Sequence, residues 1–300
     1  MVFDMKKACK NCTKATIQKY NRDVLRLYKL DFPKATIIPE TSSWLQASSL
    51  FKKYKELPLN KRRAFSVAGV KSGQAYSLKE NKKWYQAMLE DIGLYKKQRT
   101  LQNKSESEKK NIPKEGLKVL KKIASEYKRS IRLTLQSPST ESLYKYSQYI
   151  IVKFYSEVAL RNTLADVEIG KGDNHLTKKK GIYTIYLSKF KASDKVGSIE
   201  FELSKALSSA LHKYIKFRAI VNPDHNFLLV NAKGGKLSKK GLGLILQKLT
   251  KKYTGSSFST RIIRILKATA NADIIEKALK VSKEMLHKDI KMTQSYIRKD

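Results

Sequence analysis

The sequence predicts a mainly α-helical protein with a small antiparallel β-sheet, an α+β chain divided into two domains. Three observations carry this. The chain has 300 residues, enough for two domains of ordinary size, and 41% of them are hydrophobic, including 16 Tyr and 10 Phe. Apolar residues recur at helical spacing through most of its length. Only two closely spaced segments past residue 180 alternate with the period of two that marks a strand.

The elements follow in order. Thr16 to Leu30 sets Ile17, Tyr20, Val24 and Leu27 on one helical stripe. Leu57 to Ala68 and Asn81 to Tyr95 read as further helices, the latter with Trp84, Met88 and Ile92 on one stripe. Trp44 and Trp84 are expected to anchor a core, because large aromatics in helical segments pack inward. Lys61, Arg62 and Arg63 are expected on the solvent face, for solubility or for phosphate contact. Gln102 to Gly116 is polar, contains Pro113 and reads as a linker, dividing the chain into a helical domain 1–102, a linker 103–112 and a second domain 113–300. Gly116 to Arg129 and Glu141 to Leu160 are amphipathic helices, with Leu143, Tyr146, Ile150 and Phe154 on the buried face of the second. Gly181 to Phe190 and Ser198 to Leu203 form the predicted β-hairpin. Helical spacing returns at Leu207, Leu211 and Ile215, and again at Leu242, Ile245, Leu246 and Leu249 behind a Ser238 cap. No internal repeat is visible.

Charge narrows the function. Lys and Arg total 63 against 26 acidic residues, a formal net charge of +37. Residues 1–112 hold 25 basic and 10 acidic groups, and residues 113–300 hold 38 and 16, so both parts are basic. A folded chain with this field is expected to bind a polyanion, nucleic acid before an anionic membrane surface. No window approaches 18 consecutive apolar residues, and the N-terminus lacks the apolar run of a signal peptide. Two cysteines are not a disulfide framework, so an intracellular, reducing setting is expected, with no secretion and no membrane partner. Cys9 and Cys12 form a C-x-x-C without a second ligand pair, which reads as coincidence or a surface thiol pair. With only four His, a His-rich metal site is not expected, and no cofactor is implied.

The end of the chain runs Leu286-His287-Lys288-Asp289-Ile290-Lys291-Met292-Thr293-Gln294-Ser295-Tyr296. It resembles the C-terminal box of the tyrosine recombinase, or phage-type integrase, family, roughly L-G-H-x-x-I-x-T-T-x-x-Y. Upstream, Val158-Ala159-Leu160-Arg161 before Leu164-Ala165-Asp166-Val167 resembles the family's first arginine box, without its Gly and Glu. Between them, Phe258 to Thr269 resembles the second, H-x-L-R-H-x-x-A-T, with Arg264 as the arginine and Ala268-Thr269 keeping the A-T. The segment from Phe227 to Ser238 resembles what precedes that box. The likeness covers 113–300, and the N-terminal part matches only in size, helicity and its T-x-x-x-Y opening.

The resemblance implies a helical core-binding domain joined to a catalytic domain, a clamp on double-stranded DNA, and assembly to a tetramer on it. The implied activity is cutting and rejoining DNA through a 3′-phosphotyrosyl intermediate, without metal or ATP. Tyr296 would be the nucleophile. Arg161 and Arg264 would clamp the phosphate, because each guanidinium offers a planar fork matched to two phosphate oxygens. His287 would bond a non-bridging oxygen or move a proton, and a hairpin lysine, Lys189 or alternatively Lys191, would be the general acid. Arg261 stands where the family usually has His. On one helix face with Arg264 it can reach the phosphate, but a group with a pKa above ~12 makes a poor base; alternatively Arg261 is the clamp and Arg264 packs elsewhere, against which the Ala268-Thr269 match argues. Only Ile297 to Asp300 follow Tyr296, whereas many relatives carry a further helix that docks into a neighbouring protomer; either that mode of regulation is in doubt or the sequence is a piece of a longer one. The lysine-rich composition suggests an integrase of a virus or other mobile element. Two alternatives stay open: a type IB topoisomerase-like enzyme, and a non-catalytic DNA-binding protein on a decayed recombinase fold. The lysine run Lys178 to Lys180 reads as a solvated loop or phosphate contact.

Overall fold

The computed structural model describes residues 3–79, 81–101 and 105–285. The chain divides into two compact units, Met1–Lys104 and Ser105–Asp300. Among the described residues no helix is long and apolar enough to cross a membrane.

The first unit is all helical: α1 (Met5–Ala8), α2 (Lys14–Tyr28), α3 (Ser48–Lys55), α4 (Leu59–Ala75) and α5 (Lys82–Thr100). Its core joins Val24 and Leu27 of α2 to Leu50, Tyr54, Ala68 and Trp84. Helix α4 buries small residues, and Gly69 is the tightest of them. A β-carbon there would lie 2.3 Å from the Trp84 ring, so only glycine lets α5 close on α4. Both tryptophans are core anchors, as expected. The Trp84 indole donates to the Leu45 carbonyl at 2.9 Å, and that of Trp44 to the Tyr76 hydroxyl at 3.2 Å.

Two expectations for this unit are corrected. Arg62 and Arg63 do not simply face solvent. Arg62 reaches the fully buried Asp91 at 2.6 Å, and Tyr54 donates a short hydrogen bond to the same carboxylate. Arg63 lies over the Tyr95 ring, 3.6 Å from its centroid. A buried carboxylate needs such partners, and α5 supplies it only in three dimensions. Cys9 and Cys12 are also not independent thiols. The turn that follows α1 brings their α-carbons to 5.4 Å and a disulfide joins them.

The second unit begins with α6 (Glu106–Asn111), inside the segment that composition marks as a linker. Ser105 and Glu108 form a capping box, each side chain meeting the other's backbone N–H, which holds this polar stretch in a helix. Then come α7 (Lys118–Ser130), α8 (Thr140–Tyr155), a 3-10 turn (Asn162–Asp166), a sheet, α9 (Ser193–Val196), α10 (Lys205–Val221), α11 (Lys239–Thr254), α12 (Thr260–Thr269) and α13 (Ala272–Glu284). Helix α8 is central. Leu143, Tyr146, Ile150 and Phe154 are buried as its periodicity predicts, and Ile151, Val152 and Tyr155 bury its other side. Ser238 caps α11, accepting from the Gly241 N–H at 3.0 Å.

The sheet has the order β1 (Glu168–Ile169), β2 (Asn174–Lys179), β3 (Ile182–Leu187), β4 (Ile199–Glu202). β2, β3 and β4 pair antiparallel, and β1 adds a two-residue parallel edge. β3 and β4 pair as predicted, with Leu187 opposite Ile199, but α9 interrupts their connection. β2 is the unpredicted strand. Lys178 and Lys179 are its end and Lys180 its left-handed turn residue, so the run is strand and turn, not loop.

Candidate active site

The arginines of the two resembling boxes converge. Helix α8 stops at Tyr155, and Arg161 follows in extended conformation as the residue preceding the 3-10 turn. Its backbone is held from both sides. The Tyr155 hydroxyl, fully buried, donates to the Arg161 carbonyl at 2.6 Å. The next side chain, Asn162, donates to the Lys239 carbonyl at 2.9 Å and accepts from the Thr260 hydroxyl at 2.8 Å. One amide thus joins the Arg161 turn to the first residues of α11 and α12.

Helix α12 carries Arg261 and Arg264. Its Ser259 cap and the buried Ile262, Ile263 and Leu266 seat it against the core, and Lys267 bonds the Glu157 carbonyl at 3.3 Å. The Arg264 guanidinium is pushed below the usual arginine value, first by burial, then by the positive charges of Arg161 and Arg261. Three guanidiniums therefore share one field, although Arg161 is a hundred residues from Arg261. Among the described residues neither Arg161 nor Arg264 forms an ion pair. Arg261 does, 2.7 Å from the Glu108 carboxylate of α6. Like charges so placed favour a bound anion with several oxygens, such as a phosphodiester.

Lys189 lies just beyond β3, not on it, and so does Lys191. Asn174 explains the departure. Its side chain accepts from the N–H groups of Ser188 and Lys189 at 3.2 and 3.0 Å and donates to the Lys189 carbonyl at 3.0 Å. These bonds take the place of a ladder as the chain leaves the sheet. The Lys189 ammonium is exposed and 3.3 Å from Asp173. Sequence reasoning missed Tyr155, Asn162, Asn174 and Glu108. Of these only Glu108 had a local signal, the S-x-x-E of its capping box. His287 and Tyr296 lie outside the described residues. No group of three or more His, Cys, Asp or Glu could hold a metal ion among the described residues.

The fold that these elements build is that of tyrosine recombinases, as its likeness to solved structures shows. The solved structures that match it include the XerH site-specific recombinase in a post-cleavage complex with a palindromic difH substrate. That match has a TM-score of 0.54 and 16% identity, and covers 97% of this chain and 78% of that one. XerH in a pre-cleavage complex with difH matches at a TM-score of 0.46 and 19% identity, over 97% of this chain and 78% of that one. XerA recombinase matches at 0.39 and 13%, over 97% and 90%. No protein-family model matches the sequence, and no curated protein matches it.

Proposed function

We propose that the chain is a DNA strand-exchange enzyme that cuts and rejoins double-stranded DNA through a covalent phosphotyrosyl intermediate. The observation that supports this is that Asn162 ties the turn after Arg161 to the start of the helix carrying Arg261 and Arg264, on a fold like that of solved site-specific recombinases. In the proposed reaction the Tyr296 phenolic oxygen attacks the scissile phosphorus, forming a Tyr–O–P ester as the bond from phosphorus to the 5′-oxygen breaks. The ammonium of Lys189, or of Lys191, gives its proton to the departing 5′-oxygen, and the phenol proton leaves to His287 or water. Arg161 and Arg264 neutralise the phosphoryl oxygens, which carry more charge in the transition state than in the ground state. Arg261 adds donors there but no base. Guanidiniums supply the electrostatic role a metal ion plays elsewhere in phosphoryl transfer, and the ester conserves the bond energy, so neither metal nor ATP enters.

The Tyr155 hydroxyl is buried and committed to the Arg161 carbonyl, which makes it a brace and not a nucleophile. The partner is duplex DNA inside the cell. A tetramer on paired sites would perform the exchange, as the two half-reactions each need two active protomers.

The test is trapping on a nicked duplex, with wild type and Tyr296→Phe run side by side on a denaturing gel. A covalent protein–DNA band in wild type that the variant lacks is expected. DNA retardation without any band, on a pool of random fragments, would leave a binding protein and overturn the proposal.

A further inference from the structure

The Glu108 carboxylate is almost fully buried and works in two directions. One oxygen accepts from the Ser105 N–H at 2.8 Å, closing the capping box of α6, and the other accepts from Arg261 at 2.7 Å, across 153 positions of sequence. The Arg261 side chain is otherwise half exposed, at 54%. A guanidinium has five N–H donors in a rigid fork. The bond to Glu108 engages one edge of that fork and leaves other donors of a half-exposed group to bond elsewhere.

The pairing runs against affinity. A carboxylate beside the phosphate site lowers the local positive potential, in a chain whose net charge of +37 otherwise favours DNA. What it adds is direction. We propose that Glu108 is a positioning residue: it holds the Arg261 guanidinium in the orientation in which its free donors meet the scissile phosphate. This rests on the reading given under Proposed function, and it gives the helix just past the boundary of the two units a part in cleavage.

The two effects of Glu108 have opposite signs, and that makes the test sharp. Glu108→Gln keeps the shape and removes the charge. Covalent adduct formation on the nicked duplex, measured in single turnover at saturating protein, is expected to slow about ten-fold or more, as misorientation of a reacting group does. DNA affinity should stay level or rise, with the log–log salt slope steeper by up to about one contact. A purely structural role would lower the melting temperature, affinity and cleavage together, and that pattern would overturn the proposal. So would wild-type cleavage by Glu108→Gln. Arg261→Ala provides the second arm; it leaves the buried Glu108 carboxylate without this cation, so its melting temperature is measured beside its cleavage rate. In that background Glu108→Gln should add no further loss of rate, and a full additional loss would refute the coupling. Wild type binding DNA without forming any adduct would instead bring down the cleavage reading, and this role with it.

Discussion

The Tyr155 hydroxyl donates a 2.6 Å hydrogen bond to the backbone carbonyl of Arg161, six residues further on. The bond spans the point where α8 has ended and its last aromatic ring still lies fully inside the core. Burial raises the Tyr155 pKa well above the ordinary phenol value, with the Arg264 charge opposing. The hydroxyl thus stays protonated and donating at any physiological pH. Tyr155→Phe should cost about 1–3 kcal/mol, the penalty for an unsatisfied buried acceptor. Urea denaturation measures that loss, and adduct formation should fall with little change in DNA affinity.

Asn162 predicts a coupling. Asn162→Ala removes its bonds to Lys239 and Thr260 and should destabilise the second unit by about 1–3 kcal/mol. Gly243 of α11 leaves room for it, as a β-carbon there would lie 3.2 Å from the Asn162 amide nitrogen. Gly243→Ala should therefore fall short of its helix-propensity gain of about 1 kcal/mol in wild type and recover it in Asn162→Ala. Additive effects in denaturation midpoints would refute the contact.

In the first unit, Asp91 is fully buried between Arg62 and Tyr54. Asp91→Ala leaves the Arg62 charge without its partner and should destabilise that unit by about 3–5 kcal/mol. Tyr54→Phe should cost less, because the ion pair survives it. Thermal melts of the full chain, followed by tryptophan fluorescence, report on this unit alone, since Trp44 and Trp84 both lie in it.

Alkaline pH should unfold the second unit. Burial, with a smaller contribution from Tyr149, pushes the Tyr146 pKa up to about 12. Burial raises Tyr127, Tyr155 and Tyr214 in the same direction. A raised folded-state pKa means the native state holds the proton more tightly than the unfolded chain. The stability this gives is fully present below the unfolded value near 10 and is lost as pH climbs from there towards 12. Tyr146→Phe should flatten that loss while leaving stability near pH 7 almost unchanged.

Most helices were legible because their evidence is local. The stripe of Leu143, Tyr146, Ile150 and Phe154 needs no tertiary knowledge to be read, and neither does the Ser238 cap. β2 was hidden because only Asn174 and Leu176 of its six residues are buried, and its lysines extend past the core. Arg62 looked solvated because its partner, Asp91, arrives on another helix. The convergence of Arg161 with Arg264 was expected from resemblance alone. The residues that brace it, Tyr155 and Asn162, act through bonds to the backbone of Arg161 and Lys239 and to the Thr260 hydroxyl, which no spacing announces.

Asn174 grips Lys189 by its backbone N–H and C=O and leaves the side chain untouched. The position is thus addressable: its place in space is set independently of what it carries. Cys9 and Cys12, the chain's 2 cysteines, are tied to each other. Lys189→Cys would consequently create a single reactive thiol at a predetermined spot beside the hairpin. A spin label, a fluorophore or a crosslinker to a thiol-modified nucleotide could be mounted there without reshaping the sheet, turning the protein into its own distance gauge.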